Sequence, residues 1–168
     1  MIILGIDPGL ALMGYGIIEF ERQKIKLIQY GCIETQAKSP TPQRLRSIFL
    51  GVNQLIDTYK PDEIAFEELF FARNVTTAMN VGAARGVALV AAAQRTEELY
   101  EYTPMQIKQA VVGTGAADKR QVMYMVKNVL ALDHEPHPDH AADALAAAVC
   151  HANLARTVSL GEARRSLT

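Results

Sequence analysis

Three carboxylates in this 168-residue chain stand where the demands of a protein core would not put them. Asp7 follows the apolar run 2–6, Glu67 follows Ile64-Ala65-Phe66, and Asp143 falls early in an Ala-rich helical segment. If the two apolar runs are neighbouring parallel strands, Asp7 and Glu67 leave the sheet at one edge, where open α/β sheets bind ligands. Adjacent strands lie about 5 Å apart, so two such anions repel and raise each other's pKa unless a cation sits between them. With no thiolate in reach, the hard cation suited to clustered carboxylates is Mg2+ or Mn2+. His140 and Asp143 are three residues apart and share a helix face. Asp139, four residues before Asp143, points the same way. Because it follows Pro138 it reads as an N-cap for the first-turn amides, with a ligand role as the alternative.

The elements that must position these residues are legible from periodicity. Residues 2–6 form a continuous apolar run, as a strand buried on both faces would, and Asp7-Pro8-Gly9 ends it. Segments 14–20 and 25–34, joined by Glu21-Arg22-Gln23, continue it as an antiparallel meander. From 43 to 59 the period becomes helical, with Leu45, Ile48, Phe49, Val52, Leu55, Ile56 and Tyr59 on one face. The following strand, 64–67, sits at crossover spacing and is therefore expected parallel to the first. A helix over 75–95 carries Gly82 and Gly86 one turn apart, which predicts close packing on the sheet or on a second subunit. A strand at 98–102, helices at 104–112 and 118–130, and a final helix at 140–154 complete the chain. The domain is expected to span 1–155, with 156–168 a flexible basic tail.

Composition bounds the function. At 49% hydrophobic and 21% charged the chain can bury a core, and two cysteines exclude a disulfide scaffold or a multi-cysteine zinc module. No signal-peptide pattern opens the chain, and its uncharged stretches reach only about a dozen residues, short of the ~18–20 a bilayer needs. A cytoplasmic protein with no membrane partner is expected. The net charge of −1 hides a segregation, with −4 over residues 57–68 and +3 over 104–130. Such blocks suit a metal centre flanked by a phosphate-binding surface, and equally describe ordinary solvated faces.

Strand-end Asp, strand-end Glu and early-helix Asp, in that chain order, describe the ribonuclease H-like arrangement: an α/β fold with a mixed five-stranded sheet flanked by helices. Over nearly its full length the sequence resembles the RuvC family of crossover (Holliday) junction endodeoxyribonucleases. The residues that carry the resemblance are Gly5-Ile6-Asp7-Pro8-Gly9 with Gly14-Tyr15-Gly16, Phe66-Glu67 with Phe70, and Ala84-Arg85-Gly86-Val87-Ala88. Further along they are Lys108-Gln109-Ala110-Val111-Val112-Gly113, Asp118-Lys119 with Val122, and Ala141-Ala142-Asp143-Ala144-Leu145-Ala146. The resemblance implies a metal-dependent nuclease that resolves four-way DNA junctions by paired symmetric nicks, in recombination and repair. Its metal-ligating and catalytic residues would be Asp7, Glu67, His140 and Asp143, holding two Mg2+ ions with Mn2+ as the alternative. The histidine departs from the all-carboxylate version and favours Mn2+. Lys108 and Lys119 fall on family positions that contact DNA phosphates, with Arg120 beside them, and Phe70 on a loop aromatic that wedges against a base; Phe71 is expected in the core. His134, His137 and His151 match no such position and are expected at the surface. Two symmetric nicks in a two-fold junction call for a homodimer, with the Gly/Ala-rich helix 75–95 as the candidate interface, and the resemblance implies the branch-migration proteins RuvA and RuvB as partners. Two other readings compete. A non-catalytic junction-binding module on the same fold would keep the scaffold and lose the chemistry. An actin-like ATPase would need further Gly-rich phosphate loops and about twice the length.

Overall fold

The computed structural model describes residues 1–68 and 75–158. Phe70, Phe71 and the tail from 159 lie outside them. Five strands form one mixed sheet: β1 (Ile2–Asp7), β2 (Leu12–Glu21), β3 (Lys24–Glu34), β4 (Glu63–Glu67) and β5 (Leu99–Tyr102), in the order β3-β2-β1-β4-β5. The first three pair antiparallel as a meander, while β1–β4 and β4–β5 are parallel. The helices are α1 (Thr41–Tyr59), α2 (Val75–Ala93), α3 (Pro104–Val112), α4 (Lys119–Val129) and α5 (Asp139–Val158). The last extends four residues past its expected end.

Strand alternation sorts the side chains into two layers. Leu4, Ile6, Ile17, Ile64, Phe66 and Leu99 face α1 and α2, where Ile48, Val52, Ala84 and Ala88 meet them. The opposite face carries Ile3, Ile18, Ala65, Tyr100 and Tyr102 against α3, α4 and α5. Gly5, Asp7, Glu63 and Glu67 belong to this second face by the same period, so the polar chemistry of the sheet looks toward α5.

Close approach brings α5 onto that face. A Cβ at Gly14 would lie 1.9 Å from the His140 carbonyl oxygen, and one at Gly5 would lie 2.1 Å from that of Ala144. Only glycine at these two positions lets the helix backbone rest on β1 and β2. Small residues on α5 complete the fit: Ala141, Ala144 and Ala148 are each 0% exposed.

Local signals set the helices that border the site. Thr103 and Gln106 form a capping box at α3, and Gly113, at φ 92°, ends it. Asp118 and Gln121 form a second box at α4, which puts Lys119 at that helix's first position. Asp139 does not do the same for α5. It is itself the first helical residue, the Pro138 carbonyl accepts from Ala141 and Ala142, and its carboxylate pairs with Lys119 at 3.1 Å.

The glycines of α2 do not pack on the sheet, since nothing lies within 4 Å of a Cβ at Gly82 or Gly86. Val75, Met79, Ala83, Gly86 and Val90 make an exposed stripe instead. By length and composition α2 could cross a membrane. Its inner face, however, is buried through Ala84, Ala88, Ala91 and Ala92, and Arg85 is paired with Glu101 of β5 at 2.5 Å.

Candidate active site

The site lies at the carboxyl edge of β1 and β4. Ile6 pairs with Phe66 in parallel register, so the next residues, Asp7 and Glu67, leave the sheet side by side. Asp143 reaches them from the first turns of α5, and one carboxylate oxygen from each residue falls within 4.8 Å of the others. The fold thus brings together the three carboxylates singled out from the sequence. His140 stands one contact further out: its Nδ1 lies 2.6 Å from Asp7 Oδ2. Lys119 Nζ donates to Asp143 Oδ2 at 3.0 Å and to Asp139 at 3.1 Å. A pocket of about 230 Å³ joins the group, lined by Glu67, Lys108, Lys119 and Asp143 together with Pro104 and Ile107.

Charge is under strain here. Burial, then repulsion from Asp7 and Asp143, pushes Glu67 up to about 8, against relief from Lys119 and His140. Burial also raises Asp143, although its bond to Lys119 pulls the other way. The hydrogen bond to Asp7 raises His140 over the opposing effect of burial. Burial works against the Lys119 charge, but its bonds to Asp143 and Asp139 prevail and raise it. Three converging carboxyl groups, one held largely protonated at neutral pH, are short of positive charge. An all-oxygen donor set of this kind fits a hard divalent cation and can bind a metal.

Other expectations fare differently. Arg120, next to Lys119 in sequence, lines a separate pocket of about 460 Å³ with Asp118, Tyr124 and Glu135. Successive helical residues point about 100° apart, which separates the two cations. Of the acidic block, only Glu67 reaches the site among the described residues: Asp57 pairs with Arg95, and Asp62 accepts from the Ile2 amide at 2.6 Å. His134 and His137 are exposed, as expected.

His151 is not at the surface. It is 0% exposed, its Nδ1 lies 2.6 Å from the Tyr102 hydroxyl, and its Nε2 meets Glu63. The sequence carried the signal for this in α5 itself. Apolar residues surround that helix from Ala141 to Ala152, leaving no polar side for a surface histidine.

Comparison with known proteins places the chain in a family. The family model described as crossover junction endodeoxyribonuclease RuvC matches residues 3–151. The chain is 58% identical over 160 residues to the crossover junction endodeoxyribonuclease RuvC of Alkaliphilus metalliredigens, covering 95% of this chain and 98% of that protein. With the protein of the same description from Alkaliphilus oremlandii it shares 54% identity, covering 91% and 93%. A Thermus thermophilus RuvC solved in complex with Holliday junction substrate superposes with a TM-score of 0.89 at 38% identity, covering 95% of this chain and 97% of that one. The chain thus belongs to the crossover junction endodeoxyribonuclease RuvC family.

Proposed function

We propose that this protein is a metal-dependent endonuclease that resolves four-way (Holliday) DNA junctions by paired symmetric nicks. The observation that carries the reading is the meeting of Asp7, Glu67 and Asp143 within 4.8 Å, with Lys108 and Lys119 in the adjoining pocket. Asp7, Glu67 and Asp143 would hold two Mg2+ ions, with His140 completing the set and admitting Mn2+. When bound, these ions supply the Lewis acidity that activates water and stabilises the leaving 3′-oxygen.

The chain's own residues do the rest. Asp7, the carboxylate in contact with His140, orients that ring for ligation. Lys108 and Lys119 draw the scissile phosphate into the pocket and offset the charge that builds on it, with Arg120 adding a backbone contact further along the duplex. Water's oxygen forms the new P–O bond and the P–O3′ bond breaks, leaving a 5′-phosphate and a 3′-hydroxyl that can be rejoined. Phe70, outside the described residues, would wedge against a base at the crossover.

A junction has two-fold symmetry, so paired nicks call for a C2 homodimer with one site per subunit. The exposed stripe Val75, Met79, Ala83, Gly86 and Val90 on α2 is the face we assign to that contact. Branch-migration proteins RuvA and RuvB would deliver the junction, in the cytoplasm. Cleavage of a mobile synthetic junction, with each strand 5′-labelled in turn, tests the reading in Mg2+ and in Mn2+. Paired, ligatable nicks in opposite strands are expected. Junction binding without cutting in either metal would mark a non-catalytic binding module instead.

A further inference from the structure

The α5 surface that meets the sheet is built mostly of alanine. Ala141, Ala144 and Ala148 lie over Gly5, Gly14 and their neighbours, and Leu145, seated on Gly16, is the one large side chain among them, so apolar packing offers little to stop the helix sliding along its axis. His140 and Asp143 ride on this helix, whereas Asp7 and Glu67 ride on the sheet. An error of about 1 Å in the slide would spoil the site.

One buried polar chain crosses that interface. His151 lies on α5, eight residues beyond Asp143, which is about 12 Å along the helix. Its Nε2 meets the carboxylate of Glu63, the first residue of β4. Its Nδ1 lies 2.6 Å from the hydroxyl of Tyr102, the last residue of β5. Tyr102 pairs directly with Glu67, and its carbonyl accepts from the Glu68 amide at 2.8 Å. The ring also packs at a tilt against Tyr100, with centroids 4.5 Å apart. A carboxylate only accepts, so the ring donates from Nε2; in that neutral tautomer Nδ1 accepts from the Tyr102 hydroxyl. Both bonds are directional, and the Tyr102 bond is buried, so a slide of α5 in either direction breaks one or both.

We infer that His151, with Tyr102 and Glu63, is a positioning residue for the metal centre, setting the axial register of α5 against β4 and β5. Being fully buried, it acts through the helix it sits on and fixes where Asp143 and His140 stand relative to Glu67. The inference rests on the reading of Asp7, Glu67 and Asp143 as metal ligands.

The test is calorimetric binding of Mn2+ to the full chain, beside the Mn2+ concentration that half-saturates junction cleavage. Wild type is compared with Tyr102→Phe, His151→Gln and His151→Leu, and with Val52→Ala, which removes core volume on the far side of the sheet. Tyr102→Phe deletes one hydroxyl and keeps the packing. His151→Gln can still donate to Glu63 and accept from Tyr102. The expected result is that Tyr102→Phe and His151→Leu weaken Mn2+ binding about tenfold, the low end for groups standing behind metal ligands. Gln should recover part of the loss, and Val52→Ala should lower thermal stability without moving the metal requirement. Unchanged Mn2+ affinity in Tyr102→Phe and His151→Leu, or an equal shift in Val52→Ala, would overturn the inference. Failure of the nuclease reading would show separately, as wild type that binds Mn2+ but does not cut.

Discussion

Helix α5 carries two histidines, and each sits against a carboxylate from the sheet: His140 on Asp7 and His151 on Glu63. The pairs are alike in chemistry and opposite in surroundings. The His140 side chain is 45% exposed and shares its neighbourhood with Glu67, Asp143 and Lys119, while that of His151 is fully buried among Tyr100, Tyr102 and the helix. At the open end, excess negative charge and access to solvent leave the Asp7–His140 pair open to a cation. At the closed end, both ring nitrogens are engaged and nothing can enter. The same residue type thus serves chemistry at one end of a helix and register at the other, and its surroundings decide which.

The contrast can be broken by substitution. Asp7→Asn removes the charge that both His140 and a metal need. Cleavage should fall on the order of a hundred- to a thousandfold while junction binding survives, read by labelled-strand assays and gel shift. A cross-comparison of the two histidines follows. His151→Leu leaves Glu63 and Tyr102 each short of a buried hydrogen bond and should cost about 3 kcal/mol in denaturant unfolding. His140→Ala, at a half-exposed pair, should change stability by less than about 1 kcal/mol yet remove most cleavage. If the two variants lose stability equally, the division of roles fails.

A smaller effect lies in pH. The Glu67 carboxyl sits at about 8 in the fold against an ordinary 4.5, so between those values the folded state holds a proton that the unfolded chain has released. Its contribution to stability is complete below pH 4.5 and disappears as pH rises through 8. The melting temperature of metal-free protein should therefore decline from about pH 5 to pH 8, and Glu67→Gln should flatten that slope. An unchanged slope in the variant would remove Glu67 as the source.

Much of the arrangement is legible in the residues alone. The apolar runs ending at Asp7 and Glu67, with crossover spacing between them, imply two acids at one sheet edge. Helical spacing brings His140 and Asp143 to one face. What stays hidden depends on neighbours distant in sequence. The apolar surround of α5 signals that His151 is buried, but its partners, Glu63 and Tyr102, arrive from two other strands and cannot be read from it. Asp139 reads as a cap because Pro138 precedes it, but Lys119 from α4 claims the carboxylate. Gly82 and Gly86 point to close packing on the sheet or on a second subunit; among the described residues nothing lies within 4 Å of a Cβ at either, and the glycines that admit α5 to the sheet are Gly5 and Gly14 on the strands. The charge blocks mislead for a related reason: strand alternation and helix rotation scatter adjacent residues such as Lys119 and Arg120 to different surfaces.

The most direct measurement is calorimetry of Mn2+ binding at about pH 7 in buffers of different ionisation enthalpy. A carboxyl near 8 is mostly protonated there, so metal uptake should release its proton, with His140 adding to the release as it ligates, and Glu67→Gln should lower the release by the carboxyl's share. Metal binding with no proton exchange in wild type, or the same release in Glu67→Gln, would contradict the assignment of Glu67 to the metal centre.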